Sequence, residues 1–136
     1  MKIIPIVGKS NSGKTTFIRS LIPHLIKRGQ VAVIKHLGDH EFVLERGKDT
    51  TVFFESRADI SIGIDSHKTV IAIRKTNLDN ILRFIKYCGI SFVIIEGFKN
   101  RSFPKIVLGD LQIDSCIMRN PTVPQVMDAL SLFEDY

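Results

Sequence analysis

Gly8-Lys9-Ser10-Asn11-Ser12-Gly13-Lys14-Thr15 is a run of residue types suited to holding a phosphate chain. Its pattern, G-x-x-x-x-G-K-[ST], lets the backbone curl at the glycines so that successive N–H groups point into one hollow. A helix starting at the second glycine adds roughly half a positive charge at the same place. Lys14 reaches the β and γ phosphates as a point charge, and Thr15 offers its hydroxyl to Mg²⁺. A chain of this composition contains such a match by chance in roughly 0.6% of cases, so the match is a signal and not background. Lys9 stands five residues before Lys14, the spacing at which some dimeric phosphate-loop proteins reach across to the partner's nucleotide. The alternative is a solvated loop lysine.

A second piece of the same chemistry is Phe92-Val93-Ile94-Ile95-Glu96-Gly97, an apolar strand that delivers one carboxylate at its C-terminal end. Open α/β sheets bind ligands at that end. Glu96 can order Mg²⁺ or orient a water, and Gly97 can let a backbone N–H approach the γ phosphate. Asp49 follows Gly47-Lys48 after a long polar loop, where a metal-sensing and γ-phosphate-sensing segment is expected. His36, Asp39 and His40 crowd that loop, yet Gly38 argues against a helix presenting both histidines on one face, and no distant further ligand for zinc is identifiable. His24 and His67 read as surface residues. The Asn/Thr-Lys-x-Asp element that reads guanine in many GTPases is absent, so these residues do not fix the base.

The elements that must position these groups alternate. Lys2 to Val7 reads as a strand, and Lys14 to Arg28 as a helix from the 3.6-residue spacing of Phe17, Ile18, Leu21, Ile22 and Leu25. Pro23 predicts a kink or an early break, and Gly29 a left-handed cap. Val31 to Lys35 is a second strand and Asp49 to Arg57 a short helix. Ile60 to Ile64 and Thr69 to Ile73 form a hairpin about Asp65-Ser66-His67. Asn77 caps a helix ending at Gly89, and Lys105 to Leu108 and Ile113 to Met118 are short strands about Gly109-Asp110. Thr122-x-x-Gln125 opens a terminal helix with a capping box. The sum is an α/β fold with a mostly parallel sheet and antiparallel edge strands.

The 136 residues fit a single domain, 1–136, and the 44% hydrophobic content suits a folded core. No apolar stretch approaches the ~18 residues that cross a bilayer, so no membrane partner is expected and the location is expected to be cytoplasmic. Net charge is +5, but no basic block exceeds Lys27-Arg28, so no nucleic acid partner is expected. Cys88 and Cys116 lack metal or disulfide spacing and read as reduced, buried thiols.

Ser10 to Thr16 (SNSGKTT), Val33-Ile34-Lys35-His36, Gly47-Lys48-Asp49-Thr50, Glu96-Gly97-Phe98-Lys99 and Pro104-Lys105-Ile106-Val107, in that order, resemble the molybdopterin-guanine dinucleotide biosynthesis adapter proteins called MobB. The resemblance implies a P-loop NTPase-like three-layer sandwich that binds GTP with Mg²⁺ and assists the nucleotidyltransferase of molybdenum cofactor maturation; with no evident catalytic base or arginine finger in cis, hydrolysis is expected to be slow if it occurs at all. It further implies a homodimer formed through extended strands. On the same footing Gly8, Lys9, Ser10, Asn11, Ser12, Gly13, Lys14, Thr15 and Thr16 bind the nucleotide, with Lys35, His36, Gly97 and Lys99 around it. Thr15, Asp49 and Glu96 lie at the metal, and Asp49 and Glu96 at the reacting phosphate. Where the family has a small Ala-Gly-Ala segment, this chain has Ser56-Arg57-Ala58-Asp59. The competing readings are a small-molecule P-loop kinase and a scaffolding module with a degenerate nucleotide site.

Overall fold

The computed structural model describes residues 1–136 except Asp39 and Lys75. The chain forms two compact units, one of residues 1–38 with 85–136, the other of residues 39–84.

The first unit is built on β1 (Lys2–Gly8), β2 (Val31–Lys35), β5 (Phe92–Glu96), β6 (Lys105–Leu108) and β7 (Cys116–Arg119), in the order β2-β5-β1-β6-β7. All four pairings are parallel. Near-continuous apolar strands suit a sheet covered on both faces, and Ile3 to Gly8, Phe92 to Ile95 and all of β6 are buried. Pro5 lies in the middle strand, yet costs no ladder bond. Pairing of β1 with β6 begins only at Ile6, so the missing N–H falls beside an unpaired stretch.

Helices α1 (Lys14–Leu25) and α4 (Val123–Asp128) pack on one face through Ile18, Leu21, Leu25, Val126 and Met127 against Ile4, Ile6, Ile94 and Ile106. Burying each such aliphatic side chain contributes about 1.5–3 kcal/mol. The capping box at Thr122 is formed: the Gln125 N–H donates to the Thr122 hydroxyl, and the Thr122 N–H to the Gln125 side chain at 2.8 Å. The order places the strand reversal beside β1. Gly8, Lys35 and Glu96 end three neighbouring strands there, so the ligand crevice of an α/β sheet falls at these residues.

In the second unit, α2 (Asp49–Glu55) packs on an antiparallel hairpin of β3 (Ile60–Ile64) and β4 (Thr69–Ile73). The hydroxyl of Ser61 donates to Thr50 O at 2.7 Å, and that of Thr51 to Glu45 O at 2.7 Å. The guanidinium of Arg74 lies 4.5 Å from the Phe54 ring centre and donates to Phe54 O. Asp65 Oδ1 closes the hairpin by accepting from the His67 and Lys68 N–H groups at 2.7 and 2.9 Å, and these bonds hold its carboxyl below the usual carboxylate range. The boundary between the units falls within α3 (Leu78–Tyr87), whose start is capped by Asn77 Oδ1 accepting from the Asn80 N–H at 2.9 Å.

Four expectations change. Helix α1 ends at Leu25, two residues past Pro23, so Lys27 and Arg28 lie beyond it. Gly29 does not have a left-handed backbone. A Cβ there would lie 2.6 Å from that of Ser91, so close approach is what calls for glycine. Cys88 is exposed and Cys116 half-buried, because Cys88 follows α3 on its solvent side and does not face the core. The last strand starts at Cys116 and runs parallel to β6, with β6 inside the sheet. Seven residues can span up to ~23 Å, enough to return along a four-residue strand, so Gly109-Asp110 starts a return path and not a hairpin.

Candidate functional site

At Gly8 the backbone passes so close to its neighbours that a Cβ would lie 2.4 Å from both Leu108 O and Ser12 Oγ. Only glycine lets the loop close over the end of β6. The curl then uses two left-handed residues, Asn11 at φ 59° and Gly13 at φ 82°, with the Ser12 N–H donating to Lys9 O at 3.3 Å. Gly13 is the N-cap of α1, no side chain caps the helix, and its first turn holds no acid. Phe17 N–H to Gly13 O, 2.9 Å, is the first helical bond. The N–H groups of Lys14, Thr15 and Thr16 therefore precede the helical ladder and face outward with the positive end of the helix dipole.

The ammonium of Lys14 folds back over this loop, donating to Lys9 O at 2.7 Å and Gly8 O at 3.4 Å, with Ser12 Oγ at 3.5 Å. A cation held over backbone carbonyls in a half-buried hollow is poised to exchange them for phosphate oxygens. The hollow has a volume of about 420 Å³ and is walled by Ser10 to Thr16, Lys35 and Glu96.

Glu96 and Lys35 are register partners on β5 and β2, with Nζ 3.9 Å from Oε1. The Glu96 side chain is 13% exposed and that of Lys35 56%. Hard divalent cations bound to phosphates need only one or two protein oxygens, and the Thr15 hydroxyl with the Glu96 carboxylate is a donor set of that kind. Among the described residues, no three His, Cys, Asp or Glu come together as a metal cluster.

The Gly97 N–H is used differently from the expectation. It donates to Ile6 O at 3.2 Å and extends the sheet, so it is not offered to a phosphate. Glycine is required there for two other reasons: φ is 103°, and a Cβ would lie 2.8 Å from the Cβ of His36. Phe98 follows at φ 50°, its ring centre 4.4 Å from that of His36. With Leu37, Lys99, Asn100 and Arg101 these rings wall a second chamber of about 620 Å³ that shares Ser10, Lys14 and Glu96 with the first.

The structure thus brings together Gly8, Ser10 to Thr16, Lys35, His36, Glu96, Gly97 and Lys99, and leaves Lys9 out of both cavity walls. Lys9 Nζ lies 2.9 Å from Asp110 Oδ2 in an exposed pair, and its ammonium holds the Asp110 carboxyl below the usual range. Asp49 is the first residue of α2, in the second unit. His24, His40 and His67 are exposed, and Asp39 lies outside the described residues.

Sequence reasoning named Lys99 but missed its neighbours in the chamber wall, Phe98, Asn100 and Arg101, although Phe98 sits inside the EGFK tetrad. It also missed Lys105, which is fully buried. Its ammonium donates to Arg101 O, to Phe103 O at 3.0 Å and to Ser115 Oγ at 3.0 Å, and burial pushes its pKa down. No residue count marks a lysine as internal. The only available signal was its position inside an apolar strand.

Comparison with known proteins places the site in context. The family model described as molybdopterin guanine dinucleotide synthesis protein B, MobB, matches residues 3–127. A protein of Methanocaldococcus jannaschii is 38% identical over 112 residues, covering 79% of this chain and 47% of its own length. The molybdopterin-guanine dinucleotide biosynthesis adapter protein of Haemophilus influenzae is 34% identical over 110 residues, covering 78% of this chain and 62% of its own length. This chain therefore spans about half to two thirds of these curated relatives. The crystal structure of Bacillus subtilis MobB superposes with a TM-score of 0.73 at 21% identity over 100% of both chains, a likeness of fold.

Proposed function

The chain belongs to the MobB family, and from that premise we propose that it binds GTP with Mg²⁺ as an adapter in molybdopterin guanine dinucleotide biosynthesis. One observation carries this reading: the Lys14 ammonium, the unladdered N–H groups of α1 and the Glu96 carboxylate converge on one hollow at the sheet's strand ends. Phosphates take the N–H groups and Lys14, while Mg²⁺ takes Thr15 and Glu96. Asp49 joins the metal and γ phosphate in this reading. Lys35, His36 and Lys99 border the nucleotide, and Lys9 either reaches a partner's nucleotide or stays in its pair with Asp110.

Hydrolysis is slow at most, because among the described residues the walls of the hollow carry no arginine finger and no evident catalytic base. The partner is the nucleotidyltransferase of the pathway, and the setting is the cytoplasm. Among the described residues no helix is long and apolar enough to cross a membrane. A homodimer completes the reading. Its support is the hairpin of the second unit, where Ile60, Ile62, Ile64, Ile71 and Ile73 lie on one face and are all exposed. A naked apolar sheet face of that kind calls for a cover.

The test is calorimetric titration of GTP, with and without Mg²⁺, into the wild type and Lys14→Ala. Mg²⁺-dependent binding that weakens tenfold to a hundredfold in the variant is expected, the equivalent of about 1.5–3 kcal/mol for a charged hydrogen-bonding group. Absence of guanine nucleotide binding by the wild type overturns the reading.

A further inference from the structure

We propose that the 620 Å³ chamber beside the phosphate hollow is a second ligand site, for a flat aromatic molecule carrying a phosphate. The inference rests on the nucleotide reading above for its orientation. Thr15 and Glu96 would hold the metal that accompanies a nucleotide's terminal phosphates, so the γ end of the nucleotide would lie at Glu96. The nucleoside leaves from the opposite end of the phosphate chain. The chamber shares Ser10, Lys14 and Glu96 with the hollow but not Thr15 or Thr16, so in this orientation it lies on the γ side, away from the nucleotide's own base.

The chamber's walls state its chemistry. Apart from Lys14 and Glu96, which the nucleotide reading already employs, the charged side chains among the described wall residues are Lys99 and Arg101, both cations, the sign that attracts a phosphate. The rings of His36 and Phe98, 4.4 Å apart and tilted by 36°, supply aromatic surface for a planar ring to stack on. That ring pair is built at a cost in backbone conformation. Phe98, a non-glycine residue, is held at φ 50°, and Gly97 at φ 103° lets the chain pass against the His36 Cβ. Strain of this sort gathers where a side chain must be aimed at a ligand. Lys105 supports the wall from behind through Arg101 O and Phe103 O.

Neopterin monophosphate, a fluorescent ring with one phosphate, is the probe. Its anisotropy is followed on addition of the protein alone and of the protein saturated with a non-hydrolysable GTP analogue and Mg²⁺, with neopterin and inorganic phosphate as separate arms. Saturable binding to the nucleotide-loaded protein, about tenfold tighter than neopterin, is expected, with a loss of tenfold or more in Phe98→Leu. GTP titration of that variant reports whether the phosphate hollow is still formed, and if it is not, the wild-type competition data decide. Mutual displacement of probe and GTP analogue would mean that the probe occupies the phosphate hollow, and would overturn the inference, as would equal binding by inorganic phosphate or no binding to loaded protein. GTP binding without probe binding sinks this inference alone. Probe binding without any GTP binding sinks the proposed function; a tenfold loss of that binding in Phe98→Leu then supports the chamber, and unchanged binding overturns it.

Discussion

Lys35 and Glu96 face each other as register partners at the ends of two parallel strands, 3.9 Å between Nζ and Oε1. The distance is longer than a good hydrogen bond, and Lys35 is more than half exposed, so the pair contributes little to stability. Its importance is local: the carboxylate already has a cation at hand, and a metal bound as proposed would share it. Glu96→Gln is expected to remove most of the Mg²⁺ dependence of GTP binding and weaken it tenfold to a hundredfold with Mg²⁺ present. Calorimetry at matched Mg²⁺ checks this, and an unchanged Mg²⁺ dependence would refute the placement of the metal.

Gly97→Ala tests the passage of the chain beneath His36. A methyl group there meets a left-handed backbone and a Cβ at 2.8 Å, so a loss of about 1–3 kcal/mol is expected. Urea unfolding reads it directly, and a variant as stable as the wild type would show that the local geometry is otherwise.

Lys105→Met leaves the carbonyls of Arg101 and Phe103 short of a buried donor, a loss of about 1–3 kcal/mol. The buried ammonium also makes stability depend on pH. Burial lowers its pKa from 10.5, so between the folded value and 10.5 the unfolded chain binds more protons than the folded one. Stability therefore rises with pH through that window. The difference in stability between wild type and Lys105→Met should grow on the alkaline side, and a difference that is flat with pH contradicts the assignment.

Thr122→Ala removes one half of the capping box of α4 and is expected to cost about 0.5–2 kcal/mol. The change is far from the phosphate hollow, so GTP affinity should stay as it is while the unfolding midpoint falls.

Ile62→Lys with Ile71→Lys places two charges opposite each other on the exposed hairpin face. If a second copy covers that face, light scattering should show the doubled mass of the wild type fall to that of a monomer. A wild type that is monomeric at every concentration removes the dimer from the reading.

What could be read beforehand were features whose cause is local. The phosphate loop, the Asn77 cap and the Thr122 capping box each depend on a few neighbouring residues, and all appear where spacing put them. Features caused by distant contacts were not legible. The closeness of Gly29 to Ser91 and of Gly97 to His36, the burial of Lys105, and the parallel course of β7 all depend on segments far apart in the chain. The same holds for the second chamber, whose walls come from the ends of three strands, β1, β2 and β5.

The placement of β1 in the middle of the sheet affects synthesis. Ile4 is matched with Ile94 and Ile6 with Ile106, so β1, once synthesised, waits for roughly ninety further residues before either neighbour exists. During that interval its apolar side chains are exposed to solvent and to other nascent chains. The phosphate grip inherits this delay: the hollow is complete only after Glu96 and β6 have docked, and slowing elongation between β1 and β5, which lengthens the wait, should lower the yield of folded protein.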